Sequence, residues 1–149
     1  MHSRTTCAEC GASRPAGITC EDLFHQMLFW ENEDPNRGVV HHLMVLSYHL
    51  QHPSRLSQEG LEYSVQLLVD FLDGGVTPQQ VRRERRLEVD SGKRHWRLRG
   101  KPGDQGAYER PIEWRMTAQD VVISGPETYT AQVQVWAYAI LSDLQRKKK

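Results

Sequence analysis

The sequence predicts a mainly α-helical protein, built as a small bundle of about five helices behind an N-terminal cysteine knuckle. Apolar residues recur at helical spacing in several separate segments. Capping residues open these segments, and glycine or proline closes them. The chain of 149 residues is long enough for one hydrophobic core and too short for two comfortable ones. We therefore expect a single helical domain over residues 1–149.

The first two helices follow a segment without periodicity. Residues 1–18 are punctuated by cysteine, glycine and proline, which predicts an irregular knuckle. Thr19 is a predicted N-cap with Asp22 at the capping-box position, so the first helix begins there. A second helix is predicted over residues 39–51, where two non-polar stripes indicate burial on most sides. Pro53 ends it.

The next two helices complete a four-helix region over residues 19–89. The third, at 57–73, carries an apolar stripe and stops at a glycine pair. The fourth opens at Thr77, with proline in its first position, and runs to about residue 89.

The remaining segment, residues 90–125, is rich in glycine and proline and is predicted as loop. Residues 95–99 suit a short strand, which allows a β-hairpin within 90–115. Residues 116–121 are predicted as a short turn. The last helix is predicted over 126–145, where apolar residues return at core spacing.

Composition and charge exclude several classes of protein. Lysine plus arginine equals aspartate plus glutamate, at 19 each, so the overall charge disfavours nucleic-acid and membrane-surface binding. No apolar run approaches the ~20 residues of a membrane span. The N-terminus lacks the apolar stretch of a signal peptide. Three cysteines, an odd number, suit a reducing compartment, so we expect a cytoplasmic protein.

The three cysteines predict a zinc site. Cys7 and Cys10 form a C-x-x-C pair followed by Gly11, which is half of a tetrahedral thiolate site. Cys20 adds a third sulfur at a helix N-terminus, where the helix dipole favours the thiolate. The alternatives are a redox pair, although no strand precedes the motif as in thioredoxin-type sites, and an inert buried thiol at Cys20.

The fourth ligand is predicted to be His52. His25 is closer in sequence, but it lies five residues beyond Cys20, so the two side chains diverge by ~140° around the helix. A short turn makes the first two helices antiparallel, which places the end of the second beside the start of the first. Thiolate-rich sites with four protein ligands are usually structural. We therefore expect structural Zn²⁺.

The pattern of these residues resembles an uncharacterised bacterial family classed only as a domain of unknown function. The resemblance rests on the following features: Cys7-x-x-Cys10-Gly11, Cys20 at a helix start, His41 leading into Tyr48-x-x-Gln51-His52-Pro53, Met116-Thr117-x-x-Asp120-Val121, and Val133-x-x-Trp136-Ala137. Leu46 stands where the family often has aspartate. The resemblance covers most of the chain and supports the fold and the metal ligands, and it implies no reaction.

Two other groups of residues suggest alternative functions. A stripe of polar side chains on the second helix, with two arginines of the predicted strand, can line a ligand pocket for acid–base chemistry on a small molecule: His41, Tyr48, Gln51, Arg97 and Arg99. The basic segment 82–101 can bind single-stranded nucleic acid by charge and stacking, although a solvated helix face is the commoner meaning of such a run.

The function that the sequence favours is a structural-zinc domain that binds a protein or a small ligand. The alternatives are a small-molecule enzyme that uses the pocket and a single-stranded nucleic-acid binder. No nucleophile motif, phosphate loop or dinucleotide fingerprint is present in the sequence.

Overall fold

The computed structural model describes residues 3–91 and 105–146 of the chain. Over these residues it has six α-helices and one two-stranded antiparallel hairpin. The helices are α1 (Cys20–Glu33), α2 (His41–Gln51), α3 (Gln58–Leu72), α4 (Pro78–Ser91), α5 (Ala118–Ser124) and α6 (Tyr129–Arg146), and the strands are β1 (Arg4–Thr6) and β2 (Ser13–Pro15). The prediction of a mainly helical fold is confirmed. Among the described residues, no helix has the length and apolar character needed to cross a membrane.

The helices fall into two compact units. The first comprises the described residues of Met1–His52 and Glu109–Lys149, with the hairpin, α1, α2, α5 and α6. The second comprises those of Pro53–Tyr108, with α3 and α4. The expectation of a single domain over residues 1–149 stays a prediction.

The core of the first unit forms around α6. This helix packs against α2 and α5, and α5 packs against α1. The predicted stripe of α6, which is Val133, Ala137, Ile140 and Leu144, is buried throughout. Trp136 is fully buried on the same face. Burial of this stripe is what holds α6 against its neighbours.

The start of α1 follows the predicted capping box. The Thr19 hydroxyl accepts a hydrogen bond from the Asp22 backbone N–H at 3.0 Å, and the Asp22 carboxylate accepts one from the Thr19 N–H at 2.8 Å. Such a cap stabilises a helix by about 1 kcal/mol. It therefore places Cys20 as the first residue of α1.

Two local expectations are corrected by the structure. The segment 1–18 is not wholly irregular, because β1 and β2 pair within it, with Thr5 opposite Arg14. Strands of three residues are too short to display an alternating pattern. The segment 116–121 was expected to be a turn, but Thr117 and Asp120 form a capping box that opens α5. A helix of seven residues completes fewer than two turns and leaves little periodicity to detect.

In the second unit, the Ser57 side chain caps the start of α3. Its hydroxyl accepts a hydrogen bond from the Gly60 N–H at 2.9 Å. Gly106 packs tightly within this unit. Its N–H donates to the Leu56 carbonyl at 2.7 Å, and a Cβ at this position would lie 3.0 Å from backbone oxygens of Pro53 and Ser57. A larger residue would therefore require these backbone oxygens to move by a few tenths of an ångström. Residues 95–99, where a strand was expected, lie outside the described residues, and the described residues 105–115 contain no strand.

Candidate metal centre

Two of the four candidate ligands lie in the turn that joins β1 to β2. The Cys7 N–H donates to the Ala12 carbonyl at 2.9 Å, and the Gly11 N–H donates to the Cys7 carbonyl at 3.0 Å. Gly11 has a φ of 80°, a backbone conformation that glycine adopts without strain. The Cys10 N–H also points at the Cys7 sulfur, at 3.5 Å. This tight turn holds the two cysteine side chains near each other.

The other two candidates come from helix ends. Cys20 is the first residue of α1, and His52 follows the last residue of α2 as its C-cap. The His52 Nδ1 lies 2.7 Å from the Tyr48 carbonyl, one helical turn back. That carbonyl can only accept, so Nδ1 carries the proton and Nε2 is left as an electron-pair donor. A hydrogen bond from the second ring nitrogen is the usual way in which proteins orient a metal-binding histidine.

The four side chains converge on one point. The ligand atoms of Cys7, Cys10, Cys20 and His52 all lie within 4.8 Å of one another. Cys10 Sγ and Cys20 Sγ are 3.7 Å apart, and Cys7 Sγ is 3.7 Å from His52 Nε2. A tetrahedral zinc site with its ordinary bond lengths separates two sulfurs by about 3.8 Å and a sulfur from a nitrogen by about 3.6 Å. Both measured separations match a four-coordinate ion, so the cluster can hold a metal.

The cluster is buried and its thiols interact strongly. Cys10, Cys20 and His52 are buried, and Cys7 is partly exposed. The hydrogen bond from Cys10 lowers the pKa of Cys20 to about 4, with a further contribution from His52. That same hydrogen bond, together with burial, raises the pKa of Cys10. Burial lowers the pKa of His52, but its interactions with Cys20 and with the Tyr48 carbonyl outweigh burial and raise it.

The span of the chain that contains these ligands matches a known family model. A family of unknown function, DUF5946, matches residues 5–145. The chain belongs to this family. The resemblance to a domain of unknown function is thereby confirmed, and the bacterial origin stays a prediction. Comparison with curated proteins and with solved structures finds no match for the DUF5946 chain.

His25, the alternative fourth ligand, lies away from the cluster. Its side chain is 62% exposed, and its Nε2 is 3.9 Å from the Glu21 carboxylate on the next turn of α1. The helical phase that separates His25 from Cys20 therefore also separates it from the cysteines. Of the two histidines, the structure brings His52 to the thiols.

The residues expected to line a ligand pocket have different surroundings. Tyr48 is buried, and its ring centroid lies 4.7 Å from that of Phe24 and 4.4 Å from that of His52. Gln51 is buried and binds the Met116 carbonyl and the Trp136 indole. Arg97 and Arg99 lie outside the described residues. A pocket formed by this set stays a prediction.

The basic segment 82–101 is described only in part. Arg82 and Arg83 on α4 are exposed, as a solvated helix face requires. Glu84 is exposed as well, and the side chains of residues 85–101 are not described. Nucleic-acid binding through this segment therefore stays a prediction.

The structure also shows a polar cluster that the sequence did not indicate. The Glu31 carboxylate binds His41 Nδ1 at 2.6 Å through one oxygen and the Tyr129 hydroxyl through the other. The hydrogen bond to Glu31 raises the pKa of His41. Burial, together with the hydrogen bond that Tyr129 itself makes to Glu31, raises the pKa of Tyr129. Only His41 was singled out from the sequence. Tyr129 is 98 residues from Glu31, and no local pattern connects them.

Replacing His41 by glutamine is expected to destabilise the protein more at about pH 6 than at about pH 9. The folded pKa of His41 lies above its ordinary value of 6.5. Its ion pair with Glu31 therefore stabilises fully below that value, and the stabilisation is lost as pH rises through the folded pKa. Because the ring is half exposed, we expect a difference of about 0.5–1 kcal/mol.

Urea unfolding of the H41Q variant and the wild type at both pH values measures this difference. His42 and Tyr129 are titratable groups that interact with this pair, and both proteins retain them. An equal loss of stability at the two pH values would show that the His41–Glu31 pair carries no charge when folded.

Proposed function

We propose that Cys7, Cys10, Cys20 and His52 bind one zinc ion, and that this ion stabilises a domain for binding a protein or small-molecule partner. The convergence of the four ligand atoms within 4.8 Å of one another is the observation that supports this proposal. The ligands come from three separate places in the chain, namely the β1–β2 turn, the start of α1 and the end of α2. An ion at their centre would tie these places together.

The donor set favours zinc over other ions. Three thiolates and one imidazole are soft or borderline ligands, which suit Zn²⁺ and exclude the hard cations Ca²⁺ and Mg²⁺. A Cys₃His set is one of the common combinations at structural zinc sites. Zinc is also redox-inactive, so it holds such a set of thiolates without electron transfer.

The number of protein ligands favours a structural role over a catalytic one. Catalytic zinc usually has three protein ligands and an open position for water or substrate. Here four protein side chains could fill all positions of a tetrahedron, and three of the four are buried. Substrate would have to displace a ligand to reach the metal.

The hairpin is a part of the fold that a bound ion would stabilise. Each strand has three residues, and all of β1 is exposed. A two-stranded hairpin of this size has little stability of its own in water. Cys10 and Ala12 are buried at its turn, and coordination would add the energy that such a small apolar contact lacks.

Metal analysis of the purified protein tests the proposal. We expect one zinc ion per chain by mass spectrometry, and we expect chelation at neutral pH to lower the melting temperature by more than ~10 °C, equivalent to a loss of roughly 3 kcal/mol or more. Re-addition of zinc should restore the melting temperature. A protein that melts at the same temperature after complete removal of the ion would contradict the structural role.

A further inference from the structure

The two candidate ligands at the helix ends have an aromatic pair beside them. Cys20 and Phe24 are four residues apart on α1, and Tyr48 and His52 are four residues apart at the end of α2. The ligand atoms of Cys20 and His52 lie within 4.8 Å of each other, and the ring centroids of Phe24 and Tyr48 are 4.7 Å apart. Because four residues make about one helical turn, the aromatic contact lies directly beside the pair of ligands.

The imidazole of His52 contacts Tyr48 at two points. Its Nδ1 donates a hydrogen bond to the Tyr48 carbonyl at 2.7 Å. Its ring centroid lies 4.4 Å from that of the Tyr48 phenol, and the two planes are inclined by 31°. The carbonyl fixes one edge of the imidazole, and the phenol ring restricts rotation of its plane. Tyr48 is only 2% exposed, so its own ring has little freedom in the packed interior.

His49 shows that the contact with a carbonyl is not peculiar to the candidate ligand. Its Nδ1 lies 2.8 Å from the Val45 carbonyl, which is also four residues earlier in α2. The Tyr48 ring meets the His49 ring edge-on, however, at 5.6 Å between centroids and 89° between planes. The closer and more nearly parallel contact with the phenol ring therefore distinguishes His52 from His49.

The orientation of the His52 ring matters because metal–ligand geometry is strict. Nε2 of His52 is 3.7 Å from the Cys7 sulfur, the separation that a shared tetrahedral ion requires. Coordination tolerates errors of only about 0.2 Å in its bond lengths. Rotation of the imidazole about its bond to the rest of the side chain would move Nε2 away from the thiols. A ring that blocks this rotation favours metal binding.

We propose that the Tyr48 ring is a positioning residue of the metal centre, which orients the His52 imidazole towards the three thiolates and thereby raises the affinity for the ion. This role rests on the proposed binding of zinc. It belongs to the side chain of Tyr48, because the carbonyl is part of the backbone and any residue would supply it. Phe24, which packs on the same phenol ring and is one turn from Cys20, ties that ring to the helix of another ligand.

Zinc affinity of two Tyr48 variants of the full-length protein tests this proposal. Y48L keeps the backbone carbonyl and an apolar side chain but removes the ring. We expect its dissociation constant for zinc to rise by about 10- to 100-fold, the range found when a group that orients a metal ligand is lost. Y48F keeps the ring and should bind zinc as the wild type does. Competition with a chromophoric chelator measures the constants. A phenylalanine variant as weak as the leucine variant would overturn the role of the ring.

Cobalt substitution gives a readout that depends on the ligands themselves. The visible absorption bands of a bound Co²⁺ ion report the geometry of its coordination. We expect Y48L to shift or weaken the bands of the cobalt-loaded protein and Y48F to reproduce them. If Tyr48 served only to fill the core, Y48L would lower the melting temperature and leave the cobalt spectrum unchanged, and that result would contradict the proposal.

Leu43 supplies the matched control. It is buried on α2, but it is nine residues before His52, which places it about 180° away around the helix. L43A should lower the melting temperature and keep the wild-type affinity for zinc. An equal loss of affinity in L43A and Y48L would show that affinity merely follows stability. A wild type that holds no zinc would remove both proposals, whereas a zinc-loaded wild type with unchanged affinity in Y48L would remove only the role of Tyr48.

Discussion

Replacing His52 by phenylalanine is expected to abolish binding of the metal ion and to lower the melting temperature by more than ~10 °C, as chelation does. Phenylalanine can preserve the stacking on Tyr48, where the two rings lie 4.4 Å apart, but it offers no nitrogen to the metal. Three thiolates would then remain in a buried cluster without the fourth ligand. Because structural zinc contributes directly to folding free energy, the loss should approach that of chelation. Zinc content and thermal melting measure the two effects.

Two matched variants separate coordination from packing. His52→Cys removes the ring but restores a soft ligand, so we expect it to retain about one zinc ion per chain. His25→Ala removes the other histidine considered as a ligand, whose side chain is 62% exposed beside Glu21, and it should leave zinc content and melting unchanged. Loss of zinc in the His25 variant, or its retention in H52F, would contradict the assignment of the fourth ligand.

The helices could be predicted because their signals are local. Thr19 and Asp22 are three residues apart, and their capping box needs only the backbone of one turn. The stripe of α6 likewise repeats within a single helix. The short elements could not be predicted in the same way. β1 and β2 have three residues each and α5 has seven, too few to establish a period.

The proximity of His52 to the cysteines was predictable because one local feature determines it. Asp34 and Pro35 open a short turn after α1, which reverses the chain and returns the end of α2 to the start of α1. Cys7 and His52 are 45 residues apart in the sequence. The chain between them runs out along α1 and back along α2, and both helices have a known rise per residue. Sequence reasoning succeeds here because the geometry between the ligands is rigid and regular.

The contact of Glu31 with His41 and Tyr129 depends on tertiary packing instead. Glu31 lies in an acidic stretch near the end of α1, and nothing in that stretch distinguishes it from Glu33. The packing of α6 brings Tyr129 to the Glu31 carboxylate, and the position of α6 depends on its apolar stripe rather than on Glu31. A polar contact between distant segments leaves no periodic signal, so the structure was needed to find it.

Gln51, a predicted pocket residue, is expected to be essential for stability. Its amide is fully buried, and both the nitrogen and the oxygen of the amide form hydrogen bonds. Nε2 donates to the Met116 carbonyl at 2.7 Å, and Oε1 accepts from the Trp136 indole at 3.2 Å. Replacement by leucine would leave both partners unsatisfied, and each unsatisfied buried group costs about 1–3 kcal/mol. We therefore expect Q51L to lose about 2–4 kcal/mol of unfolding free energy, measured by urea denaturation.

The exposed Gln134 on α6 provides the control for this substitution. Q134L makes the same chemical change at an exposed position, where no buried group loses its hydrogen-bond partner. It should therefore change stability by less than about 0.5 kcal/mol. Q51L should still bind one zinc ion, because Gln51 contributes no ligand to the cluster. A Gln51 variant as stable as the Gln134 variant would mean that Met116 and Trp136 find other partners. The loop before α5 would then be held to α6 without the amide, through Arg115, which donates hydrogen bonds to Asp143 and Ser142 on α6.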